Sequence, residues 1–388
     1  MKRVYLDYAA TTLVHPEVIL AMTPYFSELW GNPSSIHACG LEARSAVEEA
    51  REKVAGLIGA HKDEIFFTSG GTEADNCALQ GIAFANRARG NHIITSSIEH
   101  HAILETCNHL KEQGFSITYL PVDSYGMVDP DEVKKAITSK TILISIMHAN
   151  NEMGSIQPVP EIGRVAETAG VYFHTDAVQT VGHIPVDVNK LGVDMLSISA
   201  HKLYGPKGVG ALYIHAGTNI QPLIYGGGQE RQMRAGTENV PGIVGLGKAV
   251  ELAQADMDEE ARRISQLRDT LLKSILENVE HTYLNGHPTR RLPNNANVSF
   301  EFVEGEAICL NLDLAGICAA TGSACSSISM EASHVLLAMG LSPELARSSL
   351  RFSFGKWSTE EDVKYVLEKL PASVSRLRSI SPLARKSK

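Results

Sequence analysis

Ile65-Phe66-Phe67-Thr68-Ser69-Gly70-Gly71-Thr72-Glu73-Ala74-Asp75-Asn76 is an apolar run that stops at a glycine pair and resumes as a helical pattern. A short aromatic and β-branched run closed by Gly-Gly predicts a strand, a tight turn and a helix. Outward from it the same unit repeats. Apolar runs recur at Ile65–Phe67, His92–Thr95, Thr118–Val122, Thr141–Met147, Val171–His174, Met195–Ser199 and Gly210–Ile214. Helix-like stretches at Thr72–Ala85, Ala102–Gln113 and Pro160–Ala169 separate several of them. Strands alternating with helices predict βαβ units, so the fold class is α/β with a mostly parallel sheet.

Beyond Gly226–Gly228 and the Gly236–Gly242 stretch the pattern changes. A long charged amphipathic segment, Gly242 to Asn278, leads to strand-like Asn297–Phe302 and Leu350–Phe354 and helix-like Gly305–Ala315 and Thr359–Leu377. These predict a smaller α+β domain: residues 14–256 form the large domain, and 1–13 with 257–388 the small one. The basic tail from Arg376 to Lys388 has no periodicity and reads as a solvated end. Repeats and low-complexity segments are not found.

The 388 residues carry 35 basic and 44 acidic side chains, a net charge of −9. That balance argues against a nucleic-acid or anionic-membrane surface and favours a small-molecule or protein partner. Tyr5, Asp7 and Tyr8 interrupt any secretory apolar region, and no run approaches a membrane span. Six scattered cysteines without a CxxC pair indicate neither a disulfide scaffold nor a zinc ribbon. The expectation is a cytoplasmic protein with reduced thiols.

Three segments end apolar strands in chemistry. At Phe67–Asn76, glycines permit close backbone approach and a helix N-terminus favours a phosphate, although a plain strand-to-helix turn has equal weight there. In Val171-Tyr172-Phe173-His174-Thr175-Asp176, the strand ends in a carboxylate, which reads alone more readily as a helix cap than as a ligand group. Met195–Ser199 runs into Ala200-His201-Lys202, whose amine is a solvated lysine on type alone or a Schiff-base former beside an aldehyde cofactor. In combination the three supply a phosphate cup, a carboxylate for a pyridine nitrogen and a lysine, which are the needs of pyridoxal phosphate.

Tyr5–Thr12, Gly31–Ser35, Thr68–Asn76, His148–Gly154, His174–Gln179, Ser199–Gly208, Arg234–Thr237 and Gly322–Cys325 together resemble cysteine desulfurases of the NifS/IscS type. The likeness covers nearly the whole chain, in order. It implies the type I fold of pyridoxal-phosphate-dependent transferases and pyridoxal 5'-phosphate as cofactor. Lys202 would hold the cofactor aldehyde and move the substrate Cα proton, Asp176 would pair with the ring nitrogen, and Gln179 would contact the phenolic oxygen. His100 would stack on the ring and shuttle protons, while its neighbour His101 would lie on the surface. Gly71, Thr72, Ser199 and His201 would hold the phosphate, with Thr237 entering from the second subunit of a homodimer. Asn151, also a cofactor neighbour, and Arg351 would bind the carboxylate of substrate L-cysteine. Residue type alone reads Arg351 as a surface side chain of an edge strand.

By the same resemblance Cys325, in the small-residue stretch Thr321–Ser329, would take the sulfur as a persulfide and leave alanine. That stretch is expected to be mobile. The acceptor would be an iron–sulfur scaffold or another sulfur-acceptor protein, left open because Pro382–Lys388 is short for the scaffold-docking extension of the IscS branch. Cys77, Cys107, Cys309 and Cys318 are expected to be buried as small hydrophobes, and Cys39 has no assignment. No metal site is expected; His100, His101 and Cys107 have no recognisable ligand spacing. The rival readings are a selenocysteine lyase or aminotransferase relative, and, from another class, a non-catalytic sulfur-relay scaffold or nucleotide binder.

Overall fold

The structure is a computed structural model that describes residues 3–321 and 332–382. Its main sheet holds β2 (Ile65–Thr68), β3 (His92–Ser96), β4 (Ser116–Leu120), β5 (Thr141–Ser145), β6 (Tyr172–Asp176), β7 (Met195–Ser199) and β8 (Gly210–Ile214), in the order β2-β8-β7-β6-β5-β3-β4. β8 is antiparallel to both neighbours and the other pairings are parallel.

The strands read as continuous apolar runs because both faces of the sheet are covered. Ile94, Ile144, Leu196 and Ala211 enter one core, while their neighbours Ile93, Leu143, Met195 and Leu212 enter the other. Predicted strand positions hold, but two ends are shorter: β4 stops at Leu120 rather than Val122, and β5 at Ser145 rather than Met147. Met147 N–H instead donates to Glu99, which takes the chain out of the ladder.

A three-stranded antiparallel sheet follows, formed by β9 (Thr282–Asn285), β10 (Asn295–Phe300) and β12 (Ser349–Ser353) in the order β12-β10-β9. Its core draws on Leu267, Leu271, Ile275, Ile308, Val366 and Leu370, and also on Val4 and Leu6. β1 (Val4–Tyr5) pairs in parallel with β11 (Ile317–Cys318). The Val240–Asn278 helix contributes to both cores, with Ile243, Leu246 and Val250 in one and Ile264 onward in the other.

The Ala38–Ile58 helix was not anticipated, although Ala43, Val47, Ala50, Val54 and Ile58 have helical spacing and all are buried. It lies so close to Val240–Asn278 that a Cβ on Gly247 would meet that of Ala50 at 2.7 Å. From the same helix Arg51, 3% exposed, forms two bonds of 2.9 Å to the Glu230 carboxylate. Glu230 also accepts from Phe67 N–H at 2.9 Å, so it ties the 229–232 segment to β2. Three successive non-glycine residues there, Glu230, Arg231 and Gln232, have φ of 43°, 54° and 70°, a conformation held by its surroundings.

Two expectations fail. The tail does not start at Arg376: the Glu360–Ile380 helix continues through it, and Arg378 caps the carbonyls of Glu280, His281 and Glu301 at 2.7–3.0 Å. Cys309 and Cys318 are only half-buried, because their short elements lie at the margin of the smaller core; Cys77 and Cys107 are buried as expected and Cys39 is exposed.

Candidate active site

The predicted cofactor groups other than Thr237 leave the main sheet at one edge. Gly71 and Thr72 follow β2, His100 follows β3, Asn151 follows β5, Asp176 ends β6, and Ser199 to Lys202 close β7. Strand order reverses between β3 and β5, since β4 lies outside β3 while β6 and β7 run the other way. Loops at such a reversal diverge and leave a crevice at the strand C-termini. His100 and Asn151 stand on its two sides.

At the β2 end, Gly70 has φ +151° and the Gly71–Ala85 helix starts without a side-chain cap, so its first amides remain available to an anion. A Cβ on Gly71 would meet Val178 at 2.7 Å and Ser199 Cβ at 3.6 Å, which puts Ser199 beside the turn. Thr11 Oγ1 lies 3.1 Å from His201 Nδ1, and burial, reinforced by Lys202 and Lys207, lowers that histidine to about 4.

Asp176 is 8% exposed and accepts from Val178 N–H at 2.9 Å. Burial raises its carboxyl to about 6, against the pull of that amide and of Lys202. Asp75 is still deeper, with Oδ1 unbonded among the described residues; burial first, then the Asp176 charge, holds it well above the carboxylate range. His174 bonds Ser145 Oγ at 2.9 Å and Ser197 Oγ at 3.0 Å, and burial lowers it to about 3, so it lends no positive charge. A buried carboxylate so placed gains from a protonated ring nitrogen.

Lys202 Nζ donates to Ala9 O at 2.6 Å and Ala10 O at 2.8 Å. Gln179 Nε2 donates to Ala9 O at 3.1 Å. His100 caps the His101–Glu112 helix by accepting Ala102 N–H on Nδ1 at 3.1 Å. Burial first, then Lys202 and His101, lowers it to about 4, so at neutral pH the ring is uncharged with its proton on Nε2. His101 is exposed, as expected.

Arg351 overturns the reading from residue type: it is 3% exposed. β12 is flanked by the Asp7–Ser353 and Ala320–Arg351 bridges, so its outer side is covered by backbone. The guanidinium donates to Asn151 O at 3.0 Å and to Asp7 Oδ1 at 2.8 Å. Residues 7–12 thus touch Arg351, Gln179, Lys202 and His201, a strap whose part in the site the sequence reading missed. Its signal was the polar spacing of Tyr5-Leu6-Asp7-Tyr8-Ala9-Ala10-Thr11-Thr12, noted only as a likeness.

Cys325 and most of the stretch expected to be mobile lie outside the described residues. The residues flanking them are tied to the site: Ala320 exchanges backbone bonds with Arg351, Ser333 Oγ donates to Glu152 at 2.5 Å, and His334 Nε2 donates to Glu99 O at 3.0 Å. Thr237 is exposed on the segment after Glu230.

Burial raises Glu99 to about 8, against bonds from Ser96 and Met147. The folded chain retains a proton that the unfolded carboxyl releases near 4.5. Its contribution to stability is therefore full below about pH 4.5 and is lost as pH rises through about 8. Glu99→Gln is expected to flatten the decline in urea-unfolding free energy over that window; identical pH slopes in both proteins would contradict the assignment.

The family model described as aminotransferase class-V matches residues 4–366. The chain belongs to the class-V aminotransferase family. Among its class-V relatives, "Cysteine desulfurase IscS" of Dictyoglomus turgidum is 60% identical over 383 residues, covering 98% of this chain and 97% of the relative. The protein of that name from Methanosarcina thermophila is 58% identical, covering 99% and 95%. A solved structure called "NIFS-LIKE PROTEIN" superposes with a TM-score of 0.91 at 43% identity, covering 97% of this chain and 100% of that one. "SspA in complex with cysteine" superposes with a TM-score of 0.82 at 38% identity, covering 92% and 100%. Class-V enzymes use pyridoxal phosphate, and this crevice fits it: an uncapped helix start for the phosphate, a buried carboxylate for the ring nitrogen, and a lysine oriented by two carbonyls.

Proposed function

We propose that the chain is a pyridoxal-phosphate-dependent cysteine desulfurase that moves the sulfur of L-cysteine onto Cys325 and releases L-alanine. The observation that carries this reading is the 60% identity to a desulfurase across 98% of the chain, with Lys202, Asp176 and His100 on one crevice. When bound, the cofactor supplies an electron sink that weakens the substrate Cα–H and Cβ–Sγ bonds.

The chain supplies the rest. Gly71, Thr72, Ser199 and His201 hold the phosphate, Asp176 keeps the ring nitrogen protonated, and Gln179 and Asn151 fix the ring. Lys202 takes and returns the Cα proton, and neutral His100 shuttles protons through Nε2. Arg351 and Asn151 hold the α-carboxylate. The Cys325 thiolate attacks substrate Sγ, so an S–S bond forms as Cβ–Sγ breaks; sulfur leaves as the persulfide and the carbon skeleton as alanine.

A homodimer is supported by Leu20, Phe26, Trp30 and Ile36, large apolar side chains 68–91% exposed within residues 20–36. Thr237 would then serve the partner's phosphate. A cluster gathered within residues 18–250 and another built from Val4, Leu6 and residues 264–374 support a division into 14–256 and 1–13 with 257–388. An iron–sulfur scaffold or another acceptor protein would take the sulfur in the cytoplasm. No helix among the described residues is long and apolar enough to cross a membrane.

The test is L-cysteine without reductant, with alanine assay and peptide mass spectrometry. One added sulfur on the Cys325 peptide is expected, and Cys325→Ala should lose both adduct and alanine while keeping cofactor absorbance. Alanine without the adduct would move the chain to a lyase relative.

A further inference from the structure

Arg351 is a cation placed where water does not reach, at 3% exposure. A buried guanidinium needs an anion in every state of the enzyme. The substrate carboxylate provides one only while bound. In the structure the anion is Asp7, whose Oδ1 is 2.8 Å from Nη2. Nη1 is spent on Asn151 O, and Nε is buried without a partner among the described residues.

Asp7 is built to let go. Its backbone is fixed, since Ser353 N–H donates to Leu6 O at 2.8 Å, Tyr8 N–H to Ser353 O at 3.3 Å and Tyr5 Oη to Asp7 O at 3.1 Å. Its side chain is 23% exposed against 3% for Arg351, so rotation towards water frees the guanidinium without moving the strap.

We propose that Asp7 is an internal competitor for the substrate anchor: it neutralises Arg351 in the empty site and weakens the binding of every α-carboxylate that enters. The proposal rests on the assignment of Arg351 to the substrate carboxylate. Its sign follows from charge. An incoming carboxylate meets an Arg351 already paired with Asp7 in the native protein but a site one unit more positive when residue 7 is uncharged. Substrate and product alanine share that carboxylate, so tighter holding would lower KM without speeding chemistry and would retain product. Asp7 is thus a positioning residue that favours release.

The experiment uses cofactor-loaded, full-length enzyme. Asp7→Asn and Asp7→Ser are each expected to lower KM for L-cysteine and the inhibition constant of alanine by roughly 5-fold or more, without raising kcat. Cysteamine, which lacks the carboxylate, should show no such shift, and Asp7→Glu should behave as native. Arg351→Lys, measured alongside, should raise KM. An unchanged or higher KM in both uncharged Asp7 variants, with Arg351→Lys impaired, overturns the proposal alone. An Arg351→Lys enzyme of native KM overturns the anchor assignment beneath it.

Discussion

Lys202→Ala, purified with pyridoxal phosphate present, is expected to release alanine from L-cysteine at a rate lower by roughly 10²–10⁴-fold from lost proton transfer alone. The loss is greater still because no amine remains to hold the cofactor aldehyde. Native Lys202 is oriented by the Ala9 and Ala10 carbonyls at 2.6 and 2.8 Å, so the amine is already in place before substrate arrives. Lys202→Arg keeps a cation against those carbonyls yet lacks a nucleophilic amine, and should be equally inactive. Borohydride should bleach the visible absorption of the native enzyme irreversibly and find no lysine-linked chromophore in either variant. Substantial turnover by Lys202→Arg would show that charge, not the amine, is what position 202 provides.

Glu230→Ala is expected to destabilise the protein by about 3–5 kcal/mol, because it strands the Arg51 guanidinium in the core. Arg51 loses both 2.9 Å bonds and Phe67 N–H loses its acceptor, and the described residues leave Arg51 the Ile65 carbonyl at 2.6 Å, the partly exposed Glu48 and the face of the Phe67 ring at 4.7 Å. The left-handed run at Glu230, Arg231 and Gln232 then loses its buried tie to β2 and keeps the more exposed contacts of Arg231 with Asp63. Urea unfolding of the cofactor-free protein measures the loss. Replacing both partners, Arg51→Met with Glu230→Leu, should recover most of it, since the burial penalty disappears with the charges. A Glu230→Ala loss below about 1 kcal/mol would mean that water reaches Arg51.

The main sheet was legible because strands covered on both faces are predominantly apolar; Met195–Ser199 and Gly210–Ile214 coincide with β7 and β8 residue for residue. Gly70-Gly71, Asp176 and Lys202 were legible as strand-end chemistry for a related reason: a polar group that ends an apolar run must face the crevice rim. Arg351 was not, since Leu350-Arg351-Phe352-Ser353 alternates like an edge strand and is covered by backbone from elsewhere in the chain, Ala320 and the distant Leu6–Ala9. Asp7, likewise, meets Arg351 across 344 residues, a contact no local pattern encodes. The Ala38–Ile58 helix carried its signal in plain view, masked by a charged outer face. Arg376–Ile380 looked irregular because what orders it is the capping by Arg378 of three carbonyls from other elements.

The strap sets an order on synthesis. Residues 7–12 leave the ribosome first, yet their partners at 201–204 and 351–353 come much later, the last after nearly the whole chain is made. Contacts of such sequence separation form late in folding. A nascent or prematurely ended polypeptide can assemble much of the main sheet while lacking Arg351 and the second anchor of the strap. Closure of the crevice by the strap is thus among the last events of folding, and a chain that stops short of Ser353 keeps the strap untied at that end.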